Sequence, residues 1–236
     1  MSIRTAVLLA AGEGSRLRGA ARSKPLCPVA GRPLIDHAIA GMARVGVTRA
    51  IVVLGYLGAD VVRHLRSRPQ PLEIEIAWSD PALPNGVSVL AGASMIGGGP
   101  ALLAMCDHLV DPAIYARVAQ AGPGTGLTLG IDRRLGHPWV DPLDVTCVQT
   151  EGDRIVAIGK GLEPHDCYDT GVFAIGPKLV AALKTLDAPS LTEGVRLLAS
   201  AGEAGLVDCS DLDWIDVDDE PALAHAEQWR RSLAAA

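Results

Sequence analysis

Apolar runs of strand length alternate with helix-period segments along the first half of the chain. IRTAVLLA (3–10) is apolar at nearly every position and predicts a strand buried on both faces. PLIDHAIAGMARVG (33–46) predicts a helix, with Pro33 suited to its first turn and Gly46 to its end. RAIVVLG (49–55) predicts a second strand, ADVVRHLRS (59–67) a second helix, and LEIEIAW (72–78) a third strand with period-two alternation. NGVSVLAGASMIGG (85–98) then predicts a helix, and ALLAMCD (101–107) another wholly apolar strand. Alternation of this kind through about residue 120 predicts a mostly parallel, Rossmann-like α/β sheet with helices on both faces. Ligands of such sheets sit at the carboxyl ends of the strands. The tips concerned are 10–24, Gly55, 78–88 and Asp107.

The second half is less regular. GLTLGID (126–132), DVTCVQT (144–150) and RIVAIG (154–159) predict strands, and Gly152-Asp153 a hairpin turn between the last two. GVFAIG (171–176) predicts a further strand, PKLVAALKTL (177–186) a helix, and PALAHAEQWRRSL (221–233) a closing helix. The glycine- and proline-rich clusters at 97–100 and 122–126 are short enough to be loops within one domain. A single domain over 1–236 is therefore expected, divided into an N-terminal half (1–120) and a C-terminal half (121–236).

Composition narrows the picture. The 236 residues are 49% hydrophobic but include only four Trp, three Tyr and one Phe, so the core must be aliphatic. A net charge of −6 argues against a nucleic-acid coat. Residues 11–32 run the other way, with Arg16, Arg18, Arg22, Lys24 and Arg32 against Glu13 alone. A basic patch on an acidic protein points to a small anion. The five cysteines are odd in number, at least twenty residues apart and form no CxxC pair, which predicts reduced core thiols rather than a zinc knuckle. No stretch precedes the first strand that could serve as a signal peptide, and no apolar run approaches the roughly 18 residues of a membrane span. A soluble, cytoplasmic protein is expected.

The chemistry concentrates in LLAAGEGSRLRGAARSKPL (8–26). Gly12 and Gly14 begin a GxGxxG fingerprint, but Leu17 stands where its third glycine belongs. Gly14 and Gly19 have P-loop spacing, but Ala20 and Ala21 replace the Lys-Ser/Thr pair. What remains is a strand, AAGEGSRL, a loop and Lys24-Pro25: glycines that let backbone N–H groups approach a phosphate, with cations alongside.

LLAAGEGSRL followed by SKPLCPVAGRPLI resembles the signature of the sugar- and alcohol-phosphate nucleotidyltransferases. The resemblance implies a mixed, GT-A-like fold and transfer of a nucleotidyl group to an acceptor phosphate with expulsion of pyrophosphate. All reactants are anions, so catalysis rests on positioning and charge neutralisation, with Mg²⁺ as the implied cofactor. Arg16 and Lys24 are the implied catalytic cations on the triphosphate, and Leu9, Ala10, Ala11, Gly12, Glu13, Gly14 and Gly55 the surrounding nucleotide-binding positions. Asn85, Gly86 and Ser88 resemble the segment that meets the base and ribose. Asp107, preceded here by Cys106 where the family usually has glycine, is the implied first metal ligand and also touches the nucleotide. DWIDVDDEPALAHAEQW resembles the family's C-terminal motif and makes Asp216 the second ligand. Asp218 is the competing register, and Asp218 or Asp219 suits a cap on the last helix. Lys160 occupies the place of the lysine that contacts the acceptor phosphate and completes the catalytic set. Asp144, Asp169, Thr170 and Gly171 are the implied acceptor-pocket residues. His108 is not needed as a base, because a phosphate monoester is already an anion.

Most of the chain, and DVTCVQTEGDRIVAIGKGLEPHDCYDTGVF above all, resembles CTP:inositol-1-phosphate cytidylyltransferases. That implies CTP and inositol-1-phosphate as substrates and CDP-inositol as product, consumed by a separate membrane CDP-alcohol phosphotransferase. A homodimer is compatible with this reading, and no nucleic-acid partner is expected. The group usually carries lysine where Cys147 stands, which keeps phosphocholine or a phosphonate open as acceptor. Hexose-1-phosphate is a further alternative, and a non-catalytic nucleotide-binding paralogue a remote one. Scarce aromatics weigh against a quaternary ammonium, which wants an aromatic cage.

Overall fold

The computed structural model describes residues 3–235. In chain order the elements are β1 (Thr5–Ala10), β2 (Pro28–Val29), β3 (Arg32–Pro33), α1 (Leu34–Arg44), β4 (Arg49–Leu54), α2 (Gly58–Arg66), β5 (Glu73–Trp78), α3 (Asn85–Ala93), β6 (Ala101–Met105) and β7 (His108–Val110). They continue with α4 (Pro112–Ala121), β8 (Leu127–Asp132), β9 (Thr146–Glu151), β10 (Arg154–Lys160), β11 (Cys167–Ile175), α5 (Pro177–Leu183), α6 (Leu191–Ser200), β12 (Ala204–Asp208), β13 (Trp214–Asp216) and α7 (Glu220–Ala235).

Nine strands form one twisted sheet in the order β5-β4-β1-β6-β11-β8-β12-β10-β9. The first four are parallel, as the alternating pattern predicts. From β6 onward the neighbours are antiparallel, except for β8 with β12. The sheet is therefore mixed, and "mostly parallel" describes its N-terminal half alone. For one of these pairs the reason is local: β9 and β10 are joined by the tight turn at Gly152-Asp153, with Gly152 at φ 61°, and a turn that short reverses the chain.

Alternation within β1 shows why its sequence is apolar throughout. Ala6, Leu8 and Ala10 join one core with Ile35, Ile39 and Met42 of α1, Val61 of α2 and Tyr115 of α4. Val7 and Leu9 join the other with Val89 of α3, Leu179 of α5 and Val195 of α6. A third, smaller core packs α7 through Ala226 and Trp229 onto Leu17, Val29, Leu34 and Ile215. All five cysteines are buried and unpaired, as expected of core thiols.

Besides strands of two or three residues, three elements lie where the pattern predicts none. α4 starts at Asp111, whose side chain accepts from Ala113 N at 2.8 Å, with Pro112 in the first turn. α6 opens with a reciprocal capping box between Ser190 and Glu193. β12 inserts parallel to β8. Another strand is longer than expected: β11 begins at Cys167 rather than Gly171. Gly171 sits at φ 78° inside it, and the register with β8 shifts between Asp169 and Phe173. The bulge lies in the interior of the sheet, where β11 pairs with β6 on one side and β8 on the other.

Candidate active site

The parallel strand ends and the antiparallel half meet around one cavity of about 230 Å³. β7 pairs antiparallel with β13, which places His108 opposite Asp216 and brings Asp107 alongside. Oxygens of Asp107 and Asp216 and a ring nitrogen of His108 all lie within 4.8 Å of one another. Two distant stretches thus form one cluster because a short two-stranded ribbon joins them.

Lys24 stands behind this cluster. Its Nζ donates to Asp107 Oδ2 at 2.6 Å, pairs with Asp218, and lies 3.8 Å from Asp216 Oδ1. It is not the exposed loop lysine its sequence context suggests: it is 8% exposed. Gly14, at φ 58°, runs directly over it, and a Cβ there would fall 2.4 Å from Lys24 Cβ. Burial opposes the ammonium, but Asp107 and Asp216 outweigh it and hold its pKa above the usual lysine value.

Arg16 reaches the cavity from the same loop and donates to Asp144 Oδ2 at 2.5 Å and Asp218 Oδ2 at 2.6 Å. Lys160, at the end of β10, pairs with the other oxygen of Asp144. Asp144 therefore bridges the two cations; burial resists its charge, and the bonds from Lys160 and Arg16 still bring its pKa below the usual carboxylate range. The hydrogen bond from Arg16 to Asp144 in turn raises the guanidinium. The other cations of the basic loop do not line the cavity. Arg18 pairs with Glu13 at 2.9 Å and lies over the Tyr56 ring, and Arg32 donates to Asp36 O.

The remaining predicted residues divide between lining and support. Leu9, Ala10 and Ala11 are buried, and Gly12 is exposed with open space where a Cβ would sit. Gly55 is wedged between strand ends, its would-be Cβ 2.7 Å from Ala11 O and 2.9 Å from Ser79 O. Asn85 lines the cavity and accepts from Leu191 N at 2.8 Å. Gly86 packs on Pro189, and Ser88 donates to Ser79 Oγ at 2.9 Å. Asp169 and Gly171 line the cavity, whereas Thr170 is buried and donates to Gly130 O at 2.7 Å. Burial lifts Asp169 to about 6 despite the Gly171 N–H it accepts at 2.7 Å. Asp219 Oδ1 accepts from Ala222 N at 2.8 Å, so it caps α7, while Asp218 is committed to Lys24 and Arg16. Cys147 is buried in the core and lines no part of the cavity.

Trp139, Asp141, Trp214 and Thr192 also line the cavity although the sequence reading does not single them out, and His108, set aside there as a base, lines it too. Burial opposes charge on His108, but Asp216 overrides it and raises the imidazole to about 9. His108 and Lys24 hold Asp216 well below the usual carboxylate range, against its own burial. Trp214 is legible as the partner of Asp216 in WxD; Trp139 carries no local signal, because its place depends on packing against Trp229 of α7.

The residues fit a hard divalent cation. Asp216 Oδ1 is buried and accepts no hydrogen bond from the described residues, beside the Asp107 carboxylate. An orphaned carboxylate oxygen is costly unless something fills its coordination.

The sequence profile of the MobA-like NTP transferase domain matches residues 6–149. The chain belongs to this family. As a MobA-like NTP transferase it is similar to the bifunctional IPC transferase and DIPP synthase of Rubrobacter xylanophilus, 31% identical over 94% of this chain and 51% of that protein. It is similar also to the CMP-5′-(3-aminopropyl)phosphonate synthase of Streptomyces rubellomurinus, 29% identical over 91% of this chain and 37% of that one. The chain thus spans about half the length, or less, of these curated relatives. Its fold matches the inositol-1-phosphate CTP transferase of T. maritima with a TM-score of 0.82 at 23% identity, over 94% of this chain and 92% of that one. No described helix is long and apolar enough to cross a membrane.

Proposed function

We propose that the chain transfers a cytidylyl group from CTP to an alcohol phosphate, inositol-1-phosphate above others, releasing pyrophosphate. One observation carries this reading: Arg16, Asp107, Lys160 and Asp216, drawn from four separate stretches, line one cavity, and Lys24, from the same loop as Arg16, pairs with Asp107 behind it. The family membership supports nucleotidyl transfer, and the names of the Rubrobacter relative and the T. maritima structure support the acceptor.

Each half has its task under this reading. Residues 1–120 take the nucleotide: the glycine loop admits the triphosphate close to backbone N–H groups, and Lys24 and Arg16 balance charge on the departing pyrophosphate. Asp107 and Asp216 would hold Mg²⁺, which supplies Lewis-acid neutralisation of the phosphates when bound. Residues 121–236 take the acceptor. Lys160 neutralises its phosphate, which attacks as an anion without a base, while Asp144 and Asp169 accept from its hydroxyls. The CDP-alcohol would pass to a membrane phosphotransferase. The protein would work in the cytoplasm, with a homodimer compatible.

The cavity gathers three of the eight aromatics, Trp139, Trp214 and Phe173, so scarcity alone does not argue against a quaternary ammonium. The argument lies in how their faces are occupied. Trp214 is stacked on His108 with centroids 5.8 Å apart, Phe173 is buried, and Trp139 packs on Trp229. No open cage remains among them, which favours a polyol. An aminoalkylphosphonate is the second reading. It is favoured by Asp141, a cavity carboxylate that pairs with no described cation, and by the name of the Streptomyces relative.

A pyrophosphate-release screen of the four NTPs against inositol-1-phosphate, phosphocholine, an aminoalkylphosphonate and a hexose-1-phosphate tests this directly. Turnover with CTP and inositol-1-phosphate, abolished by EDTA, is expected. No turnover with any pair, or turnover indifferent to EDTA, would sink it.

A further inference from the structure

His108 is clamped on every side that matters. Its Nδ1 lies 2.9 Å from Thr170 O, which can only accept, so that nitrogen carries a proton and donates. One ring face is stacked on Trp214 at an interplanar angle of 11°. Gly171 closes on the ring as well: a Cβ there would fall 2.3 Å from His108 Nδ1, so the bulge at φ 78° and its missing side chain make the ring's space. With Nδ1 and the ring plane fixed, Nε2 has one place to point. It faces Asp216 Oδ2 at 3.4 Å, across the register that pairs the two residues, and holds that oxygen as a second N–H, with oxygens opposite both ring nitrogens.

The two oxygens of Asp216 are thereby made different. Oδ2 faces the imidazole, while Oδ1 is buried without a hydrogen-bond partner among the described residues and lies 3.8 Å from Lys24 Nζ. A carboxylate free to rotate could present either oxygen, or both, to a cation. One pinned at Oδ2 presents Oδ1 in a fixed direction, beside Asp107.

We propose that His108 is a positioning residue that fixes the Asp216 carboxylate through Oδ2 so that Oδ1 is held ready for a divalent cation shared with Asp107. This rests on the reading of Asp107 and Asp216 as the metal-holding pair. It gives His108 a task that needs no proton transfer to or from substrate. Outer-shell partners of this kind govern metal affinity on the scale of about 10–100-fold.

Asparagine and glutamine separate the two ring nitrogens. His108→Asn keeps a donor near Nδ1 for Thr170 O but does not reach Asp216; His108→Gln places its amide N–H near the Nε2 position. Mn²⁺ is the probe, titrated into the full chain without substrates and followed by the EPR signal of free Mn²⁺, with Asp216→Asn as reference. The Mn²⁺ Kd should rise about tenfold or more in His108→Asn and return to within a few-fold of wild type in His108→Gln. A purely packing role would move both variants alike, and that result overturns the proposal. Equal Kd for wild type and His108→Asn, with Asp216→Asn weakened, overturns the role of His108 and leaves the metal pair standing. Wild-type binding by Asp216→Asn overturns the metal pair and takes the proposal with it. Electron spin-echo modulation from a directly bound ¹⁴N should be absent in the wild-type complex; its presence would make His108 a ligand and end the positioning role.

Discussion

Lys24, behind the carboxylates of the cavity, and Lys160, on its lining, come from opposite halves of the molecule and lie in opposite surroundings. On the parallel side, Lys24 is 8% exposed, overlaid by Gly14 and bracketed by Asp107, Asp216 and Asp218. On the antiparallel side, the Lys160 side chain is 62% exposed and meets Asp144 alone, on the loop that carries the 90%-exposed Leu143. One rim is prearranged and the other open. Under the proposed reading, the difference suits a nucleotide end that meets the same triphosphate in every turnover and an acceptor end that need only admit a phosphate. Fixed charges cost no reorganisation at the moment of reaction, whereas an exposed ammonium binds a phosphate without dictating what it carries.

Breaking the rigid side should have the largest effect. Lys24→Ala should lower kcat by roughly 10²–10³, the scale for removing one preorganised charged group. Because Lys24 is buried, stability should fall as well, leaving three carboxylates facing one another. Added Mg²⁺ should restore part of the melting temperature by binding those carboxylates in the folded state alone. Near-normal kcat would remove Lys24 from the chemistry.

Next in size is the division of labour among the aspartates. Asp107→Asn and Asp216→Asn should each raise the Mg²⁺ concentration for half-maximal rate by at least about tenfold, the lower end for disturbing a metal site. Asp218→Asn should instead lower kcat with little change in Mg²⁺ dependence, since it anchors Lys24 and Arg16. If Asp218→Asn shifts the Mg²⁺ titration and Asp216→Asn does not, the ligand register is wrong by one alternation of the strand.

The open side should respond more mildly. Lys160→Ala should raise the KM for inositol-1-phosphate about tenfold, near the low end for a charged hydrogen bond because the lysine is exposed. CTP affinity measured by titration should stay within a factor of about two, well inside RT of wild type. Equal weakening of CTP would place Lys160 on the nucleotide instead and erase the contrast between the two rims.

The same contrast decides what can be read from sequence. The inner parallel strands β1, β4 and β6 are apolar on both faces, so their runs stand out, and the strand-end rule by itself points to residues 10–24 and Asp107. The antiparallel half hides its devices. Gly171 reads as the start of a strand, when it is a bulge within a longer one that makes room for His108. α4 and α6 are short amphipathic helices whose caps, Asp111 and the Ser190–Glu193 box, are the available signals. Trp139 is out of reach for a different reason: its position follows from α7, some ninety residues later, and no local pattern encodes that contact. The burial of Lys24 is equally invisible, since a Gly-rich basic loop has the composition of a solvated one.

The smallest expected effect probes Asp169, where the acceptor pocket bears on stability. Burial raises its pKa from 3.8 to about 6, so the folded state resists its ionisation more than the unfolded state does. Well below 3.8 both states are protonated and the residue is neutral in the balance. Between 3.8 and about 6 the folded protein holds a proton that the unfolded chain has released, so stability falls as pH rises, and above about 6 the full penalty is in place. Asp169→Asn removes that ionisation while keeping an oxygen to accept from Gly171 N. It should therefore raise the melting temperature at pH 7.5, by about 2–4 °C for each kcal/mol relieved in a chain of this size, and raise it far less at pH 3.5. The same substitution should raise the KM for inositol-1-phosphate, because an amide accepts from a hydroxyl less strongly than a carboxylate. A charge kept at a cost to stability is what a binding residue looks like. Equal melting shifts at both pH values would trace the gain to packing instead, and an unchanged KM would take Asp169 out of the acceptor pocket.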